Sequence, residues 1–310
     1  MHNNLADKEP FFTIVISTYN REDLILETLE TVFNQNYTNY EVIVVDNAST
    51  DNSVVVLKEF EEKGKLKLIQ NEHNLERSRA RNVGFKAAKG DYLTLLDSDD
   101  FMYPDALQEA RDFIIKNKEF DFFHQFYQLV SNKKEVLFQY RFPAARKQIK
   151  KLAEGNFVSC IGVFLSKKVY LDYLFNEDEK ILGSEDWELW VRIRSEYKLG
   201  VIPKVNFGIR SHPNRSISAY DLDSIVERKQ YIIDGLLKKD KVAKVFGKFE
   251  GLMRSSAFVF AAVSANQARQ FDKSKAFLKE ALSLNNKLLL NPRFLRVAQI
   301  ANFKIDKSFK

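Results

Sequence analysis

One cysteine, Cys160, stands in 310 residues, which excludes a disulfide framework and a cysteine-built metal cluster and fits a reducing compartment. The N-terminus, "MHNNLADKEPFF", has neither a basic leader nor an apolar run behind it, so no signal peptide is expected. Apolar runs of membrane-spanning length are absent too. The nearest, "SSAFVFAAVSANQ", falls short of the ~18 residues that a span needs. Any membrane contact is therefore expected to be peripheral, from a cytoplasmic chain. There is no glycine in "STYNRED" after the first strand-like run, and no phosphate-loop pattern anywhere. A simple dinucleotide-binding dehydrogenase and a P-loop nucleotidase are both disfavoured. "DSDDFM" opens like a calcium loop, but the glycine required at its sixth position is Met102. Low-complexity segments are missing.

What is present is the composition of a globular protein, 45% hydrophobic and 29% charged. The net charge of +6 is unevenly spread. From Leu222 to the end there are 18 basic and 8 acidic residues, a net +10, so the preceding body carries −4. A basic tail on a mildly acidic body suits an anionic membrane face, a polyanionic chain or a partner enzyme. It equally suits a solvated Lys-rich helical surface, and nucleic acid is not expected as the partner.

"FFTIVIST" (11–18) is a continuous β-branched and aromatic run, typical of a strand buried on both faces. A helix follows, with Asn20 as its expected cap and Leu24, Ile25, Leu29, Val32 and Phe33 at helical spacing. The alternation repeats: strand 40–50, helix 51–63, strand "KLKLIQN", helix 75–89, strand "YLTLLD". Short connections between alternating strands and helices imply right-handed crossovers and a mainly parallel, doubly wound α/β sheet. After a helix at 104–118, "FDFFHQFYQLV" and "KKEVLFQYRF" read as an antiparallel pair joined at "SNK". A helix is expected over 185–197, then an extended segment "LGVIPKVNFGIRSH". From about Tyr220 the pattern is helical throughout. The expected division is a catalytic domain over 1–219, with halves at about 10–103 and 104–219, and an α-helical extension over 220–310.

In an open parallel sheet, ligands bind beyond the carboxyl ends of the strands. Three strand ends here carry polar clusters: Ser17–Asn20, Asp46–Asp51 and Asp97–Asp100. Carboxylates crowded at a strand end repel one another unless the site is wet or a cation sits there. Arg77 and Arg81 share a face of the preceding helix, with Arg79 pointing away. Cations beside an acidic cluster suggest a ligand carrying both phosphate and metal; pairing with Glu72 or Glu76 is the alternative. A haloacid-dehalogenase-type phosphatase also places Asp-x-Asp at a strand end, but on its first strand, whereas three strands precede this one.

Taken in order, "TIVISTYNRED", "TVFNQNYTNYEVIVVDNASTDNS", "NLERSRARNVGFKAAKGDYLTLLDSDD", "MYPDAL" and "GSEDWELWVRI" resemble glycosyltransferase family 2, the GT-A fold that uses nucleotide-diphospho-sugars. The resemblance covers about residues 10–215 and leaves the C-terminal helices uncovered. It implies that Asp99 ligates Mn²⁺ or Mg²⁺, with Asp97 near the ribose or the metal and Ser98 at the nucleotide-sugar. Ser17, Tyr19, Asp46 and Asn47 would contact base and ribose; Arg77 and Arg81, from their helical spacing, are expected at the nucleotide-sugar as well. Many members have a second Asp where this chain has Asn47, which leaves the base open, though a UDP-sugar is favoured. Asp100 is expected to cap the segment that follows it.

Asp186 would be the general base that takes a proton from the acceptor hydroxyl, giving inversion. Glu185 and Trp187 would lie on the acceptor side, Trp187 as a stacking face, although core packing also suits a tryptophan. His212 matches a histidine that completes the metal shell in some members; a phosphate contact or loop packing are its alternatives. The implied task is transfer to a glycan or lipid-linked acceptor in bacterial surface polysaccharide synthesis. The rival classes are a metal-dependent nucleotidyltransferase or phosphatase on the same aspartates, and an inactive binding relative.

Overall fold

The computed structural model describes residues 9–211 and 222–304. In chain order the elements are β1 (Phe12–Thr18), α1 (Glu22–Phe33), β2 (Tyr40–Asp46), α2 (Ser53–Glu62), β3 (Lys67–Gln70), α3 (Glu76–Ala87) and β4 (Tyr92–Asp97). Then come β5 (Phe101–Met102), α4 (Ala106–Lys116), β6 (Phe122–Val130), β7 (Val136–Tyr140), α5 (Gln148–Glu154), β8 (Val163–Ser166), α6 (Lys167–Asp172), α7 (Glu185–Arg194) and β9 (Leu199–Arg210). The helices α8 (Leu222–Leu237), α9 (Asp240–Phe246), α10 (Glu250–Gln267), α11 (Phe271–Leu284) and α12 (Pro292–Phe303) follow.

Two compact units form. The first holds the described residues of 1–145, 158–177 and 196–215; the second holds those of 146–157, 178–195 and 216–310. A single cut at 219/220, as the change of pattern suggests, misses that α5 and α7 belong with the C-terminal helices. Local periodicity cannot show this, because the two helices are recruited by packing.

The first unit is one mixed sheet in the order β3-β2-β1-β4-β8-β6-β9-β5, with β7 paired to the later half of β6, past the stretch that pairs β8. The first four strands are parallel, and β8 lies antiparallel between β4 and β6. Strands β1 and β2 are buried on both faces, as their unbroken apolar runs require. Ile14, Ile16 and Val44 meet Ile25, Leu29 and Val32 of α1 on one side, while Ile43 and Val45 meet Ala80 of α3 on the other. Helix α3 comes so close to β1 that a Cβ at Gly84 would stand 2.3 Å from Val15 Cγ1. The hairpin at 131–135 joins β6 and β7 as expected. Strands β5 and β8, of two and four residues, escape the sequence pattern because they are too short to show a period.

In the second unit, α8, α10, α11 and α12 share a core of Val226, Ala262, Ala265, Phe277, Phe294 and Val297. Among the described residues no helix is long and apolar enough to cross a membrane.

Candidate active site

The parallel register brings the three polar clusters to one rim. Thr18 pairs with Asp46 across β1 and β2, and Ser17 pairs with Asp97 across β1 and β4. The loops beyond β1 and β2 are bound to each other. Asn20 Oδ1 accepts from the Thr50 amide at 2.8 Å, and Ser49 Oγ accepts from the Asn20 amide at 2.9 Å. Asn20 therefore does not cap α1. Its backbone is left-handed (φ 50°), its side chain is spent on the neighbouring loop, and the helix opens at Glu22 without a side-chain cap. Tyr19 lies exposed beside it and Ser17 is half-buried.

Asp46 is 1% exposed. Its Oδ2 accepts from the Ser49 amide at 3.0 Å, while Oδ1 has no donor among the described residues. The Thr18 hydroxyl, in register with it, is also buried without a partner. Each such group costs about 1–3 kcal/mol of lost solvation. Two of them lie side by side on adjacent strand ends.

Asn47, expected at the base or ribose, is occupied differently. Its Nδ2 donates to Asn74 Oδ1 at 2.6 Å, and its Oδ1 accepts from Asn71 Nδ2 and the Leu75 amide, both at 3.0 Å. The carboxamide holds the loop between β3 and α3. A carboxylate there could not donate to Asn74, which gives the asparagine its own structural reason.

The aspartate turn is tied down from α1. The Thr28 hydroxyl reaches the carbonyls of Ser98 and Asp100, at 3.0 and 2.8 Å. Arg81, 3% exposed, donates from Nη2 to Asp97 Oδ1 at 2.7 Å. Arg21 Nε lies 3.4 Å from Asp99 Oδ2, a neighbour the sequence pattern did not suggest. Asp100 is architectural, but with another partner than expected: its Oδ1 accepts from the Arg210 amide at 2.9 Å and anchors the end of β9. Arg79 turns to Glu177 at 3.5 Å, away from Arg81 as the helical spacing requires, and Arg77 is half-buried on the same helix. Among the described residues no three His, Cys, Asp or Glu groups converge as a metal cage. Asp97 and Asp99 are hard oxygen donors, the kind that holds Mg²⁺ or Mn²⁺ when phosphate and water complete the shell. His212 lies outside the described residues.

In the second unit, α7 opens with Glu185 and Asp186. Glu185 is buried, and its Oε2 accepts from the amide of Gly183, whose φ of 82° suits glycine. Asp186 is half-buried; its Oδ1 accepts from the Trp187 amide at 2.6 Å and its Oδ2 from Asn156 Nδ2 at 2.7 Å. Trp187 is 3% exposed, donates from Nε1 to the Leu152 carbonyl at 2.8 Å, and carries the Lys229 ammonium 4.4 Å above its ring. Trp190 is fully buried. Burial leaves little of the Trp187 ring free to stack, and the Glu185 carboxylate serves the turn at Gly183. Asn156 reaches Asp186 from 30 positions away in the chain, which no local pattern reports.

The family model described as glycosyl transferase family 2 matches residues 13–174, just over half the chain. This chain belongs to glycosyltransferase family 2. Among its relatives is a UDP-Glc:alpha-D-GlcNAc-diphosphoundecaprenol beta-1,3-glucosyltransferase, WfgD, of Escherichia coli. It is 28% identical over 61% of this chain and 72% of its own length. An uncharacterised glycosyltransferase of Methanocaldococcus jannaschii is 28% identical over 67% of this chain and 72% of its own. Among solved structures, residues 1–349 of TarS from S. aureus, in complex with UDP-GlcNAc, match at a TM-score of 0.68 and 19% identity. That match covers 97% of this chain and 93% of the other. A mannosyltransferase from Pyrobaculum calidifontis, in complex with GDP-Man and Mn²⁺, matches at a TM-score of 0.59 and 17% identity, over 96% and 86% of the two chains. The fold of this family 2 member is GT-A, with an α-helical C-terminal region, and the chain is a glycosyltransferase.

Proposed function

We propose that this enzyme moves a sugar from a nucleotide-diphospho-sugar, a UDP-sugar by preference, to a hydroxyl of a glycan or lipid-linked acceptor, with inversion. The observation that carries the donor side is the buried, undonated Asp46 Oδ1 next to the buried Thr18 hydroxyl on the strand-end rim. A ring imide or amide N–H of a base satisfies such an oxygen, and the ribose hydroxyls suit the neighbouring groups. Asp99, assisted by Asp97, would hold Mn²⁺ or Mg²⁺, which neutralises charge as the diphosphate leaves. Arg81 keeps Asp97 in place, and Arg21 balances Asp99. Asp186 takes the acceptor proton while the acceptor oxygen attacks the anomeric carbon, and the carbon–oxygen bond to the diphosphate breaks on the opposite face. The relatives that bind UDP-GlcNAc, GDP-Man and Mn²⁺, and the one named for a diphosphoundecaprenol acceptor, support this reading.

Peripheral contact with an anionic membrane face, in bacterial surface polysaccharide synthesis, belongs to the same reading. In the second unit the stretch 285–304 contains Lys287, Arg293, Arg296 and Lys304 and no acidic residue. Leu289, Leu290, Leu295 and Phe303 within it are exposed, Leu290 at 85%. Exposed leucines set among cations are what a lipid headgroup layer accepts.

The deciding experiment is a thermal-shift panel of nucleoside diphosphates and nucleotide sugars, each with and without Mn²⁺. Stabilisation by a sugar nucleotide that grows with Mn²⁺ supports the reading. Stabilisation by nucleoside triphosphates alone, or metal-dependent phosphatase turnover, sinks it.

A further inference from the structure

The aspartates Asp97 and Asp99 meet different arginines, held in different ways. Arg81 reaches Asp97 at 2.7 Å with a side chain that is only 4% exposed, and it also lies over the Phe175 ring. Arg21 Nε stands 3.4 Å from Asp99 Oδ2, and its side chain is 21% exposed. A short buried pair is costly to open, whereas a long, partly solvated one contributes little and exchanges readily for a better partner. Of the two guanidiniums, the one able to change partner is that of Arg21. Its backbone, in contrast, is fixed. The Arg21 amide donates to Ser53 Oγ at 2.9 Å, the Asn20 amide before it to Ser49 Oγ at 2.9 Å, and the Glu22 amide after it to Asp51 Oδ2 at 3.1 Å. These successive amides tie Arg21 to the chain that follows β2, and from there its head reaches the aspartate turn after β4.

We propose that Arg21 is an exchangeable counter-charge: it holds Asp99 until a nucleoside diphosphate arrives, then turns to the diphosphate and leaves Asp99 to the divalent cation. The proposal deepens the reading above and rests on Asp99 as a ligand of that cation.

The physical argument is competition between like charges. Carboxylates crowded into one turn repel, and positive partners relieve them. A guanidinium and a divalent cation at the same carboxylate repel each other in turn, so Arg21 on Asp99 weakens the cation. A diphosphate reverses this. It carries more than one negative charge, and its oxygens accept the forked N–H groups of an arginine in pairs. Arg21 then gains stronger hydrogen bonds than the one contact at 3.4 Å gives, and Asp99 loses its competitor. Cation and diphosphate load together, and by linkage each tightens the other by the same factor. A guanidinium that stayed on Asp99 throughout would weaken the cation equally with and without diphosphate.

The test reads binding and does not require turnover. Mn²⁺ is titrated into the full chain and the free ion is followed by electron paramagnetic resonance, without UDP and with saturating UDP, correcting for Mn²⁺ held by UDP alone. In the wild type UDP tightens Mn²⁺ by roughly tenfold or more. In Arg21→Gln, Mn²⁺ alone binds about fivefold tighter, while its affinity with UDP present is nearly unchanged, so the coupling shrinks by that same factor. Arg21→Lys keeps the charge and, with it, the weak binding of Mn²⁺ alone. Mn²⁺ affinity in Arg21→Gln that rises equally with and without UDP, or does not rise at all, overturns the proposal and leaves Asp99 as a ligand. Mn²⁺ binding that is the same in Asp99→Ala as in the wild type sinks the reading of the metal site, and the proposal with it.

Discussion

Arg81 on α3 donates to Asp97 at the end of β4 across 2.7 Å, with the guanidinium buried and also 5.3 Å from the Phe175 ring. The helix before the acidic strand thus carries the counter-charge for its first aspartate inside the fold. Removing that charge leaves Asp97 without its guanidinium in a partly buried place. Arg81→Ala should lose about 3 kcal/mol of unfolding free energy in urea, near the low end for a broken buried pair because Asp97 is partly solvated. Arg81→Lys should recover only part of this, because an ammonium cannot reproduce the guanidinium's geometry over Phe175. Equal stability of all three proteins in urea titration would show that the pair contributes nothing.

Asp46 tests the donor side. Its Oδ1 has no donor among the described residues, so Asp46→Asn should leave the fold nearly as stable as the wild type. Donor binding should respond more sharply, because an amide nitrogen turned toward a base N–H meets donor with donor. A loss of about 1–3 kcal/mol, or roughly 5- to 150-fold in Kd, is expected for the sugar nucleotide by calorimetry. Unchanged affinity would remove Asp46 from the base pocket.

Much of the first unit was legible because its strands are buried on both faces and alternate with amphipathic helices, and both patterns are local. The common rim of the strand ends that carry Asp46 and Asp97 was legible because strand ends in such a sheet converge. What local pattern could not show is the use of each side chain. Asn20 turned out to serve a neighbouring loop, Asn47 the loop before α3, and Asp100 the end of β9. These bonds span from 28 to 110 positions in the chain, and their donors and acceptors are chosen by packing. Arg21, Asn156 and Lys229 were missed for the same reason. One arginine after a strand, one asparagine after a glycine and one lysine among many are unremarkable until the fold gives them partners.

His124 makes acid stability measurable. It is fully buried on β6, with its ring nitrogens facing the carbonyls of Gln125 and Ser159, and burial holds its pKa down to about 4. The unfolded chain binds the proton near pH 6.5, so between about 6.5 and 4 the unfolded state holds more protons and stability falls as the pH drops. The folded state should lose about 3 kcal/mol from this group across that window. His124→Gln should flatten the slope of urea-derived stability there. A slope identical to wild type would mean that His124 is not neutral in the fold.

The α12 region tests membrane contact. Leu290→Glu with Leu295→Glu places two acids on the exposed apolar surface without touching the buried Phe294 or Val297. Flotation with liposomes containing anionic lipid should fall at least tenfold for the double variant and should weaken with salt for the wild type. Wild-type protein that ignores anionic liposomes would exclude this surface as a lipid site.

Lys229 should be a residue that costs stability. Its folded pKa of about 8 lies below the ordinary lysine value of 10.5, so between those values the unfolded chain holds a proton that the folded chain has released. Stability therefore rises with pH across that window, and below pH 8 the full penalty of the buried ammonium is present. Lys229→Met removes the charge and should stabilise the fold at pH 7 by about 1–2 kcal/mol, allowing for the lysine's partial exposure. The gain should shrink as the pH approaches 10.5, where the wild-type lysine is neutral in both states. A packing residue behaves oppositely, losing stability when replaced at any pH. A Lys229→Met protein no more stable than wild type at pH 7 would show that the buried ammonium carries no such penalty.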